Sequence, residues 1–211
     1  MHSIKLISAL FLGFGLSACA GVETATRNAP LEAPALRPAA VPLDVQEVRV
    51  SVPRSLKVSE ANRYLPSGDI VWREDAPGDR HAQVAAILQD ALERGVADLP
   101  EGGVPVVLEV GLVRFHALSE KARYTVGGVH AIRFTYVLRD PVTGAALTEP
   151  TFVKADFKAL GGQKAITAER QGITQKVRIT GHLADVIRAE LGDGQGYRAQ
   201  ALGFLGALNQ I

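Results

Sequence analysis

Along the chain the apolar positions change period several times, and each change marks an element. Val48, Val50 and Val52 alternate with Arg49 and Ser51, which predicts a strand over 45–52 that Pro53 ends. Residues 53–78 lose any period among Pro53, Pro66, Gly68, Pro77 and Gly78, apart from an apolar island at Ile70, Val71 and Trp72. After Asp79, an N-cap residue by type, Val84, Ile87, Leu88, Ala91, Leu92 and Val96 fall at i, i+3, i+4 spacing. They predict an amphipathic helix that ends among Gly95, Pro100 and Gly102, with Asp90 and Arg94 as an i,i+4 pair on its wet face.

A long strand is predicted from Val104 to about Ala117. Val106, Leu108, Val110 and Leu112 fall on one face, and Val107, Val113 and Phe115 join Glu109 on the other. A second runs from Val129 to Arg139, where Ile132, Phe134, Tyr136 and Leu138 alternate with polar residues before the turn residues Asp140, Pro141 and Gly144. A third covers about 151–158, with Val153, Ala155 and Phe157 on one face, and the three form an antiparallel meander. Beyond Gly161 and Gly162 the period is helical again: Ile166, Ile173, Val177, Ala184, Ile187 and Leu191 describe one stripe ending at Gly192. Gly172 and Gly181 lie inside it and each costs up to about 1 kcal/mol relative to Ala, which predicts a break or kink. Leu202, Phe204, Leu205 and Leu208 mark a short apolar helix over 200–211. The fold class expected is α+β: a mainly antiparallel sheet of about four strands, with two helices packed on one face, in the order β-α-β-β-β-α.

The first eighteen residues follow a different rule. Lys5 precedes an apolar run from Leu6 to Leu16, and small residues follow at Ser17 and Ala18, the three-part layout of an export signal. The run is well short of the ~20 residues that cross a bilayer. Next comes Cys19, the only cysteine of the chain. Leu16, Ser17, Ala18 and Cys19 resemble a bacterial lipobox. The resemblance implies cleavage before Cys19, diacylglycerol on its sulfur and acylation of its amino group. A lone cysteine in an exported chain has no internal disulfide partner, and lipidation uses it up. Two or three acyl chains hold a protein far more firmly than one. By the same resemblance Ala20, in place of Asp, favours sorting to the outer membrane, with the domain facing the periplasm.

Residues 20–43 contain seven alanines and four prolines, at Pro30, Pro34, Pro38 and Pro42, and no aromatic side chain. Such a linker favours extended conformations at ~3.1 Å per residue, roughly 70 Å at full stretch. The organisation expected is a signal over 1–18, the lipidated cysteine and linker over 19–43, and one domain over 44–211. In element order and anchoring the chain resembles the small α/β-sandwich lipoproteins of the Gram-negative envelope, among them the plug subunit of the lipopolysaccharide translocon and lipoprotein components of lipid-transport systems. The resemblance implies an accessory role in the envelope.

Composition changes this picture little. The 211 residues are 47% apolar and 21% charged, with 23 Lys+Arg against 22 Asp+Glu scattered along the chain, so no charge run points to a nucleic acid. Of the histidines beyond the signal, His81, His116, His130 and His182, none has metal spacing. His116 and His130 fall near facing ends of adjacent strands, where they can approach each other. No serine sits in a G-x-S-x-G elbow, and the Gly161, Gly162, Gln163, Lys164 run lacks the P-loop order and reads as a strand-to-helix turn. Gly192, Gly194 and Gly196 follow a helix rather than a strand, which makes them a helix end and not a dinucleotide loop. No catalytic residue, metal or cofactor is therefore assigned. Trp72 reads as a clamp on the long connection rather than an exposed anchor. Glu169, Arg170, Gln171, Thr174, Gln175, Lys176 and Arg178 read as a solvated helix face. The loop Ser119–Gly128, with Glu120, Lys121, Arg123 and Tyr124, is the candidate partner-binding surface because it joins two long strands and mixes an aromatic with charge. The expectation is a non-enzymatic envelope lipoprotein held in the membrane through Cys19, with an envelope partner. A lipid or small-molecule carrier and an envelope hydrolase are the alternatives.

Overall fold

The sheet is built outward from its longest strand, Val104–His116. A computed structural model describes residues 41–192, 196–199 and 201–202. The expected signal, Cys19, most of the expected linker and most of the expected 200–211 helix lie outside the described residues. In chain order the elements are β1 (Leu43–Ser51), β2 (Ile70–Val71), α1 (Arg80–Ala97), β3 (Val104–His116), α2 (Glu120–Arg123), β4 (Gly128–Arg139), β5 (Thr151–Lys154), β6 (Phe157–Ala159), α3 (Gln163–Arg170) and α4 (Gln175–Gly192).

β4 pairs antiparallel with β3 from Val107 opposite Arg139 to His116 opposite Ala131. The other edge of β3 takes β1 along its first half and β2 at its end, both parallel. The outer edge of β4 is shared in the same way by β5 and β6. Six strands thus fill four rows. The meander of β3, β4 and β5 is antiparallel as the alternation predicts, and three of the five pairings are antiparallel, but the sheet is mixed because β1 and β2 join it in parallel. The reason is topological: α1 lies between β1 and β3 and carries the chain back to the end where β1 began, and such a crossover joins parallel strands. The single strand expected over 151–158 is divided at Ala155 and Asp156.

α1 and α4 pack on each other over one face of the sheet and bury Leu88, Leu92, Ile179, Leu183 and Ile187 against Leu108, Val110 and Phe134. The Asp79 side chain accepts from the Ala82 amide as the N-cap of α1, and Arg94 donates to Asp90 at 2.8 Å. Trp72 is fully buried, edge-on to Phe115, and its indole N–H donates to Asp75 at 2.8 Å. This is the clamp that the sequence predicts. α1 and α4 cross at Gly95, where an added Cβ would lie 2.3 Å from Ile187 Cγ2 and 2.5 Å from the Ala184 carbonyl oxygen. Gly95→Ala gains up to about 1 kcal/mol of helix propensity, but moving a backbone carbonyl costs more. A net loss of about 1–3 kcal/mol is expected, read as a lower Tm; an unchanged or higher Tm would mean that the helices do not meet this closely.

Two expectations about faces are corrected. The stripe drawn from Ile166 to Leu191 as one helix is two helices. Gly172, at φ +77, ends α3 in a Schellman arrangement, with Ile173 N–H on the Ala168 carbonyl and Gly172 N–H on that of Glu169. Thr174 then caps α4 by accepting from the Val177 amide. The restart rotates the apolar face, so Ile173 and Val177 are exposed, and Ile179, Leu183, Val186 and Ile187 carry the core. The helix runs unbroken through Gly181. In β3, a bulge between Leu112 and Arg114 inserts one residue against β4. It reverses the inside-outside phase: Phe115, expected beside Glu109, turns into the core, Val113 is left exposed, and Arg114 and His116 come to the face without helices.

Candidate functional site

The face that the helices leave open carries a cleft at the far end of β3. Its floor is Arg114 and His116, and its walls are the strap 57–69 and the start of α2. β2 positions the strap: the Asp69 carbonyl accepts from the Phe115 amide and that of Val71 from the Ala117 amide, so the chain enters the sheet beside the bulge. The strap doubles back on itself, with the Lys57 carbonyl accepting from the Asp69 and Ile70 amides and Asp69 Oδ2 accepting from the Lys57 amide at 2.8 Å. Gly68, at φ +120, makes the return; a Cβ there would lie 2.9 Å from the Lys57 carbonyl oxygen.

Ion pairs hold the strap in place. Glu60 accepts from Arg80 at 2.7 Å and contacts Arg73, whose Nε donates to Glu120 at 2.6 Å. Ser119, the N-cap of α2, donates its hydroxyl to the Arg63 carbonyl, and the Lys121 amide donates to Asn62 Oδ1 at 2.7 Å. Between these walls the cleft has a volume of about 780 Å³, within the range of small-molecule sites. Val58, Leu65, Pro66, Leu118 and Val129 supply apolar lining, and its polar groups include Lys57, Ser67, Asp69, Arg114 and His116.

The electrostatics of the floor follow from register. Arg114 lies directly opposite Arg133, and Arg133 directly opposite Lys154, a row of three cations across β3, β4 and β5. Burial, with the Arg133 charge adding, lowers the pKa of Arg114. His116 is pushed down to about 4, mainly by burial and then by Arg114; the Gly68 backbone and Asp69 oppose the shift. Its ring is therefore neutral near pH 7.

The histidine pair suggested by the sequence does not form. His116 faces the open side, while His130 lies on the helix side, fully enclosed and 4.8 Å from the Phe157 ring, with its pKa pushed down by burial to about 3. His182 stacks on the other side of Phe157 at 4.0 Å. The space beside His130 is only about 10 Å³. Among the described residues no group of three or more His, Cys, Asp or Glu is placed to hold a metal.

The loop chosen for partner binding is distributed by the structure. Glu120 is paired with Arg73, and Lys121 lies over the Tyr64 ring at 4.8 Å. Arg123 is buried between Glu74, at 2.9 Å, and Glu169. Tyr124 is exposed, with its hydroxyl donating to Glu169 at 3.2 Å. The polar cluster of residues 169–178 is only partly a solvated face. Gln175 is buried and accepts from the Leu118 amide at 3.0 Å, while Arg178 donates to the Lys158 carbonyl across the Phe157 ring. Leu16, Ser17, Ala18 and Cys19, which resemble a lipobox, lie outside the described residues. Sequence reasoning passed over Arg114; its one signal is a lone cation in an otherwise apolar stretch.

Residues 43–207 match the profile of a family of unknown function, DUF6778. The chain belongs to that family. No curated protein matches this DUF6778 chain. Among solved structures it is similar to a candidate lipoprotein of Caulobacter crescentus CB15, with 16% identity over 56% of this chain and 83% of that one, at a TM-score of 0.33. It is also similar to a Xanthomonas campestris protein of the DUF330 family, with 13% identity over 74% and 86% of the two chains and a TM-score of 0.43. In the DUF6778 chain no helix of the described residues is long and apolar enough to cross a membrane.

Proposed function

We propose that this chain is a lipid-anchored outer-membrane protein with a non-enzymatic binding role in envelope assembly or transport, and that it binds through the cleft on the open sheet face. The observation that carries the reading is the cleft itself: about 780 Å³, with apolar and polar side chains on a strap that ion pairs hold in place. The lipobox-like Leu16, Ser17, Ala18 and Cys19 support the anchor. The apolar part of the lining, Val58, Leu65, Pro66, Leu118 and Val129, favours a lipidic ligand, which makes a carrier the second reading.

Two substitutions test the two halves. Labelled palmitate is expected to enter the wild type and not Cys19→Ala, which stays unprocessed or soluble; a Cys19→Ala chain that still fractionates wholly as a processed lipoprotein would overturn the anchor. Ser67 lines the cleft, and Ser67→Trp is expected to obstruct it. Lipid extracted with the wild-type protein should fall at least severalfold in that variant, and equal recovery would remove the cleft from the proposal.

A further inference from the structure

The row Arg114, Arg133 and Lys154 sets a physical problem. Like charges directly opposite on one sheet face destabilise it. Two of the three are compensated: Asp156 lies 3.4 Å from Arg133 and 3.7 Å from Lys154. Arg114 is not. Its Nε, like that of Arg133, is buried without a hydrogen-bond partner, but among the described residues no carboxylate lies within ion-pair distance of Arg114. Asp69 and Asp156 are the acids whose charge acts favourably on Arg114; of the two only Asp69 lines the cleft, and its Oδ2 already accepts from the Lys57 amide. Beside Arg114, His116 is only 6% exposed and its Nε2 has no hydrogen-bond partner. A half-buried guanidinium beside a second one, with no carboxylate within ion-pair distance, has its strongest remaining interaction with an oxyanion from outside the chain.

The cleft is far larger than an oxyanion needs. Val58, Leu65 and Leu118 line it, and Lys57 adds a further cation. We propose that it takes a single-chain anionic amphiphile, with the carboxylate or phosphate head on Arg114 and the acyl chain along Val58, Leu65 and Leu118. The inference rests on the cleft being the binding site and adds the ligand class. An arginine kept only for stability would behave differently: removing Arg114 relieves repulsion with Arg133, so Tm holds or rises while the anion is lost.

The test is native mass spectrometry of the full chain released from dodecyl maltoside, with dodecyl phosphate as the probe. A single dodecyl phosphate adduct is expected on the wild type. Its occupancy should fall at least tenfold in Arg114→Gln, with Tm unchanged or raised. Inorganic phosphate alone should not form the adduct, because the chain supplies part of the affinity; a phosphate adduct of equal occupancy would overturn the amphiphile in favour of a simple anion site. An Arg114→Gln protein that retains the dodecyl phosphate adduct would overturn the assignment of the head to Arg114. Hydrogen exchange separates this failure from failure of the cleft. Protection of 57–69 and 114–118 by dodecyl maltoside, with no preference for dodecyl phosphate, overturns the anionic ligand and keeps the cleft. No protection by either amphiphile overturns both.

Discussion

Between pH 6.5 and about 4 the domain is expected to lose a large part of its stability, beginning above the range in which its carboxylates titrate. His116 and His130 have pKa values pushed down from 6.5 to about 4 and about 3. In the unfolded chain both take up a proton near 6.5, and in the native state they do so only near those lower values. Across the window the unfolded state therefore binds more protons, and stability rises with pH and is lost as pH falls. Each histidine contributes about 2–3 kcal/mol to the loss by pH 4.5, on the order of 5 kcal/mol together, a large part of the stability of a typical domain. His182 is shifted in the same direction, mainly by burial. Asp79, held at about 2 first by its hydrogen bond from Arg54, acts only at lower pH. Urea denaturation at pH 8 and pH 4.5 measures the difference. His130→Phe, which keeps a ring against Phe157, should remove about half of the pH dependence. A flat stability between pH 8 and pH 5 would show that both rings protonate without unfolding.

Loss of the Arg123 guanidinium is the second large effect. Arg123 reaches back from α2 to Glu74 in the connection after β2 and to Glu169 in α3, and it is 8% exposed. Arg123→Ala leaves two partly buried glutamates facing each other without their cation, and breaking such a pair from one side costs about 3–5 kcal/mol. Replacing all three groups together, as Arg123→Met with Glu74→Gln and Glu169→Gln, should recover most of the loss, because no uncompensated charge remains. The two proteins compared by urea denaturation decide the point. A loss below about 1 kcal/mol for Arg123→Ala would mean that water screens the cluster as it does a surface pair. The same substitution loosens α2, and with it the Leu118 and Ser119 wall of the cleft.

What is legible in the chain is what a few neighbouring residues decide. The Asp79 cap, the i, i+3, i+4 stripe of α1, the break at Gly172 and the burial of Trp72 all rest on local pattern, and the structure has them. The alternation in β3 and β4 is equally local, but it holds only to the next irregularity. The bulge after Leu112 passes no signal to the sequence because it forms in the pairing with β4, and it turns Phe115 inward and Arg114 outward.

The sequence by itself determined β1, α1, β3 and β4, in that order, because helix stripes, caps and strand alternation are set by contacts within a few residues. Only the tertiary structure decided the parallel edge of the sheet, the cation row of Arg114, Arg133 and Lys154, and the burial of Arg123 between two distant glutamates. Each depends on which residues far apart in the chain become neighbours. Strand register and helix docking choose those neighbours, and local periodicity carries no record of the choice.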